Sequence, residues 1–212
     1  MLHSGTPSKA YAIPMHQPPI DASDADAVLQ VLRSGALTGD GVASRRLTAL
    51  AARTLGCTHV FPVTSGTHAL ELMLRALPVE PGDEVICPSF TFVSVANAIL
   101  LAGGTPVFAD IDPDTLNLDA RDASARVTSR TRAIVTAHYG GIGSQLSELA
   151  TLCETRGIHL LEDAAHALGG RFLGRPLGTL GLAGAFSFHG TKNIVAGEGG
   201  MLVTSDADLA RR

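Results

Sequence analysis

The sequence predicts an α/β fold in which a mostly parallel, seven-stranded sheet lies between helices. Short apolar runs recur along the chain, and we interpret them as seven strands at 59–63, 84–87, 106–109, 132–137, 158–162, 184–188 and 201–204. The early runs are nearly continuous in apolar residues, which is typical of strands buried on both faces of a parallel sheet. Segments with helical spacing separate several of the runs, as parallel strand pairs require.

The residues before the first strand are expected to form an arm and two helices. Residues 1–20 contain four prolines and show no periodicity, which predicts an N-terminal extended arm. Residues 21–34 and 44–55 carry apolar residues at helical spacing, with a loop over 35–41 between them. We expect residues 21–212 to form a single domain.

The later connections predict where a ligand binds. Four further helices are expected between strands, over 67–76, 92–102, 118–127 and 145–156. The last two connections contain no obvious helix, so an antiparallel strand is expected there. Ligands of open α/β sheets bind at the carboxyl ends of strands and at helix N-termini. Functional residues should therefore follow the strand runs directly.

The composition excludes several classes of protein. Hydrophobic residues make up 45% of the chain and charged residues 17%, with a net charge of −4, which is ordinary for a globular domain. The chain contains no Lys/Arg-rich block, so neither nucleic acid nor an anionic membrane is an expected partner. The longest apolar stretch, around residues 95–102, is too short to span a bilayer. We expect a soluble, cytoplasmic protein.

The three cysteines predict neither disulfides nor a metal site. Cys57, Cys87 and Cys153 are odd in number and widely separated, which fits neither a disulfide framework nor a CxxC pair. They are expected to be buried or half-buried thiols in a reduced compartment.

The segment Thr64-Ser65-Gly66-Thr67 follows a strand and opens a helix. Free N–H groups, the positive end of the helix dipole and small hydroxyl side chains together form an anion site. A plain helix cap, in which Ser65 or Thr67 satisfies the first amides, explains the same residues. The motif alone does not distinguish the two.

Two further segments place ionisable groups at strand ends. Glu162 and Asp163 end a buried strand, where a carboxylate can face a cation such as a pyridinium nitrogen or can brace a loop. His166 follows and could donate to a phenolate oxygen, although a lone histidine is more often structural. Lys192 lies in a segment that leaves a strand at Ser187 and enters a glycine-rich loop, and a buried lysine forms Schiff bases.

Aromatic residues follow another strand in a chain that has few of them. Phe90 and Phe92 come directly after the strand at 84–87. A ring there could stack on a flat heterocycle, or it could pack in the core, which we expect of at least one of the two. An anion site, a flat face, a carboxylate and a lysine at the ends of one sheet are the groups that pyridoxal phosphate needs.

Five motifs of the chain resemble a known family. In sequence order they are SGTHALELML, PGDEVICPSFTFVSVANAI, PVFADIDPDTLNLD, LLEDAAHALGG and GAFSFHGTKNIVAGEGGML. They resemble the DegT/DnrJ/EryC1/StrS sugar aminotransferases in order and spacing, from about Ile13 to the last residue. The segments IPMHQPPI and GALTGDGVASRR are most similar to the branch that makes dTDP-4-amino-4,6-dideoxygalactose. The resemblance implies the large domain of a fold-type I pyridoxal phosphate-dependent transferase.

The resemblance implies a role for each matching residue. Lys192 matches the lysine that holds the cofactor as a Schiff base and then acts as acid and base. Asp163 matches the acid paired with the pyridine nitrogen, and His166 stands where the family places Gln or His against the 3′ oxygen of the cofactor. Phe92 matches the stacking aromatic residue. Phosphate contacts are implied for Ser65, Gly66 and Ser187, with Thr67 close by.

The implied reaction is a ping-pong transfer of an amino group. Glutamate donates the amine to the cofactor, and the acceptor is a nucleotide-linked 4-keto-6-deoxy sugar, dTDP-4-dehydro-6-deoxyglucose. Family members act as homodimers in which partner residues reach the phosphate. They also continue into a small C-terminal domain, so this chain is expected to be a fragment or a truncated product that lacks it.

Other functions stay open at this point. A 3-keto-sugar aminotransferase carries nearly the same motifs. A dehydratase of the family is disfavoured because it has histidine in place of the lysine. An inactive or regulatory truncated paralogue is a further alternative. The run Gly140-Gly141-Ile142-Gly143 lacks the full GxGxxG pattern of a nicotinamide-binding domain.

Overall fold

A computed structural model describes residues 17–212 of the chain. The predicted arm therefore lies almost wholly outside the described residues, and residues 17–20 have no regular secondary structure. The α-helices of the described residues are α1 (Ala22–Ser34), α2 (Val42–Leu55), α3 (Gly66–Arg75), α4 (Ser94–Leu101), α5 (Ala120–Ala125), α6 (Leu146–Arg156) and α7 (Ala207–Arg211).

Seven strands form one sheet, as the sequence predicts. They are β1 (His59–Val63), β2 (Glu84–Pro88), β3 (Thr105–Ala109), β4 (Thr131–Ala137), β5 (His159–Asp163), β8 (Ala183–Ser187) and β9 (Gly200–Thr204). A separate two-stranded hairpin, β6 (Arg171–Phe172) and β7 (Arg175–Pro176), lies between β5 and β8 in the chain. The predicted strands match these bounds to within one residue at each end.

The sheet is mostly parallel and has one reversed strand. Its order is β1-β9-β8-β5-β4-β2-β3. Strand β9 runs antiparallel to both of its neighbours, whereas the other neighbouring pairs are parallel. The reversed strand follows a connection without a helix, which confirms the expected antiparallel member. As a result, the carboxyl ends of β4, β5 and β8 meet at one edge of the sheet.

Apolar residues on the two faces of the sheet form two separate cores. Consecutive residues of a central strand belong to different clusters: Ile134 packs with Phe186 on one face, and Val135 packs with Leu161 on the other. This two-sided burial explains the continuous apolar runs, because alternate side chains of one strand point to opposite faces.

The structure departs from the sequence prediction at three points. The hairpin β6–β7 was not predicted, because its strands have two residues each and show no apolar period. The helix expected over 118–127 is shorter, since it begins after Asp119, whose side chain caps it, and ends before Arg126. The apolar face of α1 is not covered by other described residues, and Val28 is 60% exposed.

The three cysteines are buried and free, as expected. Burial raises the pKa of the Cys87 and Cys153 thiols to about 12, so both are inert at neutral pH. Within residues 17–212, no helix combines the length and the apolar character that crossing a membrane requires.

Candidate active site

A cavity of about 540 Å³ opens at the carboxyl ends of β4, β5 and β8. Its volume lies within the range of about 300–1,000 Å³ that small-molecule sites occupy. The eight residues predicted from the sequence all line this cavity: Ser65, Gly66, Thr67, Phe92, Asp163, His166, Ser187 and Lys192. The strand-end rule of open α/β sheets therefore led to residues that share one cavity, and their role as a cofactor site stays a prediction.

The N-terminus of α3 forms one end of the cavity. The Ser65 hydroxyl oxygen accepts the His68 N–H at 3.0 Å, so Ser65 is a helix cap. The amides of Gly66 and Thr67 come before any intrahelical partner and remain free to bind an anion. The cap and the anion site are therefore compatible interpretations of the same four residues.

Gly66 allows the end of strand β8 to approach this helix. A β-carbon at Gly66 would lie 2.8 Å from the β-carbon of Ser187, closer than real side chains come. Gly200 is equally constrained, because a β-carbon there would overlap the backbone of Ser65. These two glycines bring the Ser187 hydroxyl to the same end of the cavity as the α3 amides.

Asp163 places a carboxylate on the cavity floor. It ends strand β5 and is 6% exposed. One carboxylate oxygen, Oδ1, accepts the Ala165 N–H at 3.1 Å, and Oδ2 has no hydrogen-bond partner among the described residues. Burial raises the pKa of Asp163, while the Ala165 amide, His138 and Lys192 act in the opposite direction. A cationic N–H donor in the cavity would satisfy both the open oxygen and the charge.

His166 offers one ring nitrogen to the cavity. Its Nδ1 lies 3.3 Å from the Gly140 N–H, which can only donate, so Nδ1 accepts. Burial, and then the nearby Lys192 cation, lower the pKa of His166. The neutral imidazole therefore carries its proton on Nε2, where it can donate to an acceptor in the cavity.

Lys192 lies in the irregular loop after β8. Its backbone N–H donates to the His189 carbonyl at 2.9 Å, which fixes the start of the side chain. Burial lowers the pKa of the amine, and the charge of Asp163 partly opposes this. A lowered pKa increases the fraction of neutral, nucleophilic amine at neutral pH.

Aromatic side chains line the wall of the cavity. Phe90 is 42% exposed and Phe92 is 69% exposed. Core packing therefore describes neither ring, and the expectation that at least one was a core residue is wrong. Phe90 contacts Tyr139 with ring centroids 4.8 Å apart, and Tyr139 meets the His166 ring edge-on at 5.3 Å. The stacking role of Phe92 stays a prediction, and Tyr139 was not anticipated.

A buried hydrogen-bonded pair at the floor of the cavity, His138 and Glu162, was also missed. His138 directly follows β4, and its Nε2 lies 2.8 Å from the Glu162 carboxylate, with both side chains fully buried. Glu162 also accepts the backbone N–H groups of Gly178, Leu180 and Gly181 at 2.6–2.7 Å. The strand-end rule could have found His138. The turn whose backbone N–H groups donate to Glu162 has no recognisable sequence pattern.

We expect Glu162→Ala to lower the free energy of unfolding by about 3–5 kcal/mol, because two buried and two partly buried donors would lose their acceptor. Urea unfolding measures this loss, with Glu154→Ala on the exposed face of α6 as the matched control. A loss no larger than that of the control would show that water replaces the carboxylate.

The donors and acceptors of the cavity fit pyridoxal phosphate. The amides of α3 and the nearby hydroxyls fit a phosphate, and the open oxygen of Asp163 fits a protonated ring nitrogen. Lys192, with its lowered pKa, fits an aldehyde. Side chains larger than glycine do not fit at Gly66 and Gly200, where closely packed backbone forms the end of the cavity next to the α3 amides.

Comparison with known proteins agrees with this description. A family model, the DegT/DnrJ/EryC1/StrS aminotransferase family, matches residues 18–212. The aminotransferase TlmJ from Streptoalloteichus hindustanus is 42% identical, with a TM-score of 0.90 over 94% of this chain and 55% of its own. DesI, solved in the presence of its TDP-sugar product, is 42% identical, with a TM-score of 0.81 over 88% of this chain and 47% of its own.

A third similar structure was solved in a PLP-form. Spr1654 from Streptococcus pneumoniae is 31% identical, with a TM-score of 0.88 over 94% of this chain and 54% of its own. The chain thus spans about half the length of the solved proteins that it matches. The fold is that of the fold-type I pyridoxal phosphate-dependent transferases. Within that class, the chain belongs to the DegT/DnrJ/EryC1/StrS aminotransferase family.

Proposed function

We propose that this chain is the cofactor-binding part of a sugar-nucleotide aminotransferase that uses pyridoxal phosphate. The main support is that three groups line one cavity. They are a lysine with a lowered pKa, a buried carboxylate whose Oδ2 has no hydrogen-bond partner among the described residues, and the N-terminal amides of α3. Residues 21–212 form the cofactor-binding domain in this proposal.

Each residue holds a different part of the cofactor. The amides of Gly66 and Thr67 and the hydroxyls of Ser65 and Ser187 bind the phosphate. Asp163 accepts the ring N–H through Oδ2, and His166 donates from Nε2 to the ring oxygen. Phe92 covers one face of the ring.

Lys192 carries out the proton transfers. Bound pyridoxal phosphate supplies an aldehyde and an electron-withdrawing ring, so that an amino group can move between two carbonyl carbons. Lys192 would hold the cofactor through its amine at rest. Its Nζ, once free, would accept a proton at the substrate end of the site and return it at the cofactor end.

The substrates in this proposal are glutamate and a nucleotide-linked keto sugar. The 42% identity to DesI, which was solved in the presence of its TDP-sugar product, supports a TDP-linked sugar, and the resemblance of the sequence motifs favours a 4-keto-6-deoxy sugar. A 3-keto sugar is the competing acceptor. The working assembly in this proposal is a homodimer. The exposed Phe92, which lines the cavity, and the exposed Val93 next to it in sequence suit a covered surface.

Incubation of the protein that contains this chain with glutamate and a panel of keto-sugar nucleotides tests the proposal. We expect amination of dTDP-4-dehydro-6-deoxyglucose, seen as a mass change in the nucleotide sugar and as 2-oxoglutarate release. Amination of only 3-keto sugars would overturn the substrate. Absence of visible cofactor absorbance after addition of pyridoxal phosphate would overturn the cofactor site itself.

A further inference from the structure

The Gly140–Gly143 run, which does not form a dinucleotide loop, makes a tight turn against His166. Gly140 and Gly141 have φ of 63° and 77°, a left-handed region that favours glycine. The turn is closed by the Gly141 N–H, which donates to the His138 carbonyl at 3.0 Å. A β-carbon at Gly141 would lie 3.0 Å from the His166 carbonyl oxygen, so the turn packs directly on the backbone of His166.

A buried asparagine outside the cavity holds this turn at both ends. Asn117 is 1% exposed and lies in the loop between β3 and α5. Its Oδ1 accepts the Tyr139 N–H at 2.7 Å, and its Nδ2 donates to the Ile142 carbonyl at 3.1 Å. The backbone carbonyl of Asn117 accepts the Asp112 N–H at 2.8 Å, which ties the residue to its own loop.

The turn that Asn117 holds directs the Gly140 N–H toward the His166 imidazole. The Gly140 N–H reaches His166 Nδ1 at 3.3 Å, between the two positions that Asn117 fixes. An N–H donor at this point is compatible with a lone pair on Nδ1 and repels a proton there. It therefore disfavours both the Nδ1–H tautomer and the doubly protonated ring.

We propose that Asn117 is a positioning residue that acts through the Tyr139–Gly141 turn to keep His166 neutral with its proton on Nε2. Asn117 does not line the cavity, so it acts only through this turn. The functional consequence rests on the proposed cofactor site, because only a ring oxygen in the cavity makes use of the Nε2 donor. The tautomer itself is a property of the protein alone.

Several titratable groups share the cavity with His166 and must be considered in its titration. They are Asp163, Lys192, Tyr139, His138, His189 and Glu198. Of these, the Lys192 cation acts on His166 in the same direction as burial, and both lower its pKa. Removal of the Gly140 donor should raise the pKa of His166 while these groups stay in place.

NMR of protein labelled with ¹⁵N-histidine, without cofactor, tests the inference. Wild type should show His166 as the neutral Nε2–H tautomer at neutral pH, with its signals assigned by their absence from His166→Gln. Asn117→Ala should give a mixture of tautomers and a higher pKa for His166. The exposed Asn97→Ala on α4 is the matched control and should match wild type. An Nδ1–H tautomer in wild type, or an unchanged pKa in Asn117→Ala, would overturn the proposal.

A second variant covers the case in which Asn117→Ala does not fold. Asn117→Asp keeps the acceptor for the Tyr139 N–H but loses the Nδ2 donor and adds a negative charge, which by itself raises the pKa of His166. The tautomer of the neutral ring is therefore the readout for this variant, and a mixture of tautomers is expected. Cofactor titration adds a separate test: Asn117→Ala should raise the dissociation constant on the order of tenfold, increasingly so as the pH falls. In combination with His166→Gln, the pH-dependent part of the effect of Asn117→Ala should vanish. Failure of cofactor binding in wild type would reject the proposed function and leave the tautomer result standing.

Discussion

Lys192→Ala is expected to abolish amino transfer, with turnover reduced by at least about 10²–10⁴-fold. The variant loses both the covalent attachment point and the group that moves protons between substrate and cofactor. Asp163, His166 and the α3 amides remain, so the variant should still bind pyridoxal phosphate non-covalently. Turnover with glutamate and the keto-sugar nucleotide, together with the visible absorbance of lysine-bound cofactor, measures the effect.

The low lysine content of the chain allows the attachment site of the cofactor to be mapped directly. These 212 residues contain two lysines, Lys9 and Lys192, so within them Lys9 is the one other lysine that could capture the cofactor. Borohydride reduction of the loaded protein, followed by peptide mass spectrometry, should place the cofactor on Lys192 alone. The matched control is Lys9→Arg, which should keep the adduct and the absorbance. An adduct on Lys9, or turnover retained in Lys192→Ala, would contradict the assignment.

Asp163→Asn is expected to weaken cofactor binding by about tenfold to a hundredfold and to lower turnover by about 10²–10³-fold. The amide is nearly isosteric but carries no charge, so it cannot hold a protonated ring nitrogen. The dissociation constant for pyridoxal phosphate and the single-turnover rate with glutamate measure the two effects. Asp26→Asn on the exposed surface of α1 is the control.

The same variant should have the opposite effect on the cofactor-free protein. Burial raises the pKa of Asp163, so the folded state binds its proton more tightly than the unfolded state. This contribution is fully present below the unfolded pKa and is lost as the pH rises through the folded pKa. At neutral pH the buried carboxylate therefore destabilises the cofactor-free protein, and Asp163→Asn should raise its Tm. A lower Tm without cofactor would show that Asp163 is stabilised by interactions that the asparagine cannot make.

The sequence alone predicted the sheet and the cavity residues well, for two physical reasons. Strands buried on both faces leave continuous apolar runs, and Ile134 and Val135 show why, since each packs in a different core. Residues that follow parallel strands lie at the ligand-binding edge of such a sheet, and this rule predicts from sequence that Asp163 and Lys192 share one cavity.

What escaped prediction depends on contacts between distant segments. The sequence shows Glu162 as one of two acids at a strand end. Its role as an acceptor depends on backbone N–H groups of the turn at 178–181, and no side chain of that turn indicates this role. Asn117 is one polar residue among many in a loop, and its two bonds reach residues 139 and 142. The exposure of Phe92 also depends on what lies across the cavity, which local composition cannot report.

The reversed strand β9 has a consequence for the order in which the molecule is assembled during synthesis. Strand β1 is the first strand in the sequence, and its partner in the sheet is β9, the last one. It therefore emerges from the ribosome early but cannot pair until almost the whole described chain has been synthesised. Gly200, the first residue of β9, also packs on the backbone of Ser65 and completes the phosphate end of the cavity. Contacts between such distant segments form slowly. Cofactor capture should therefore be among the last events of folding, and it cannot guide the earlier strands into place.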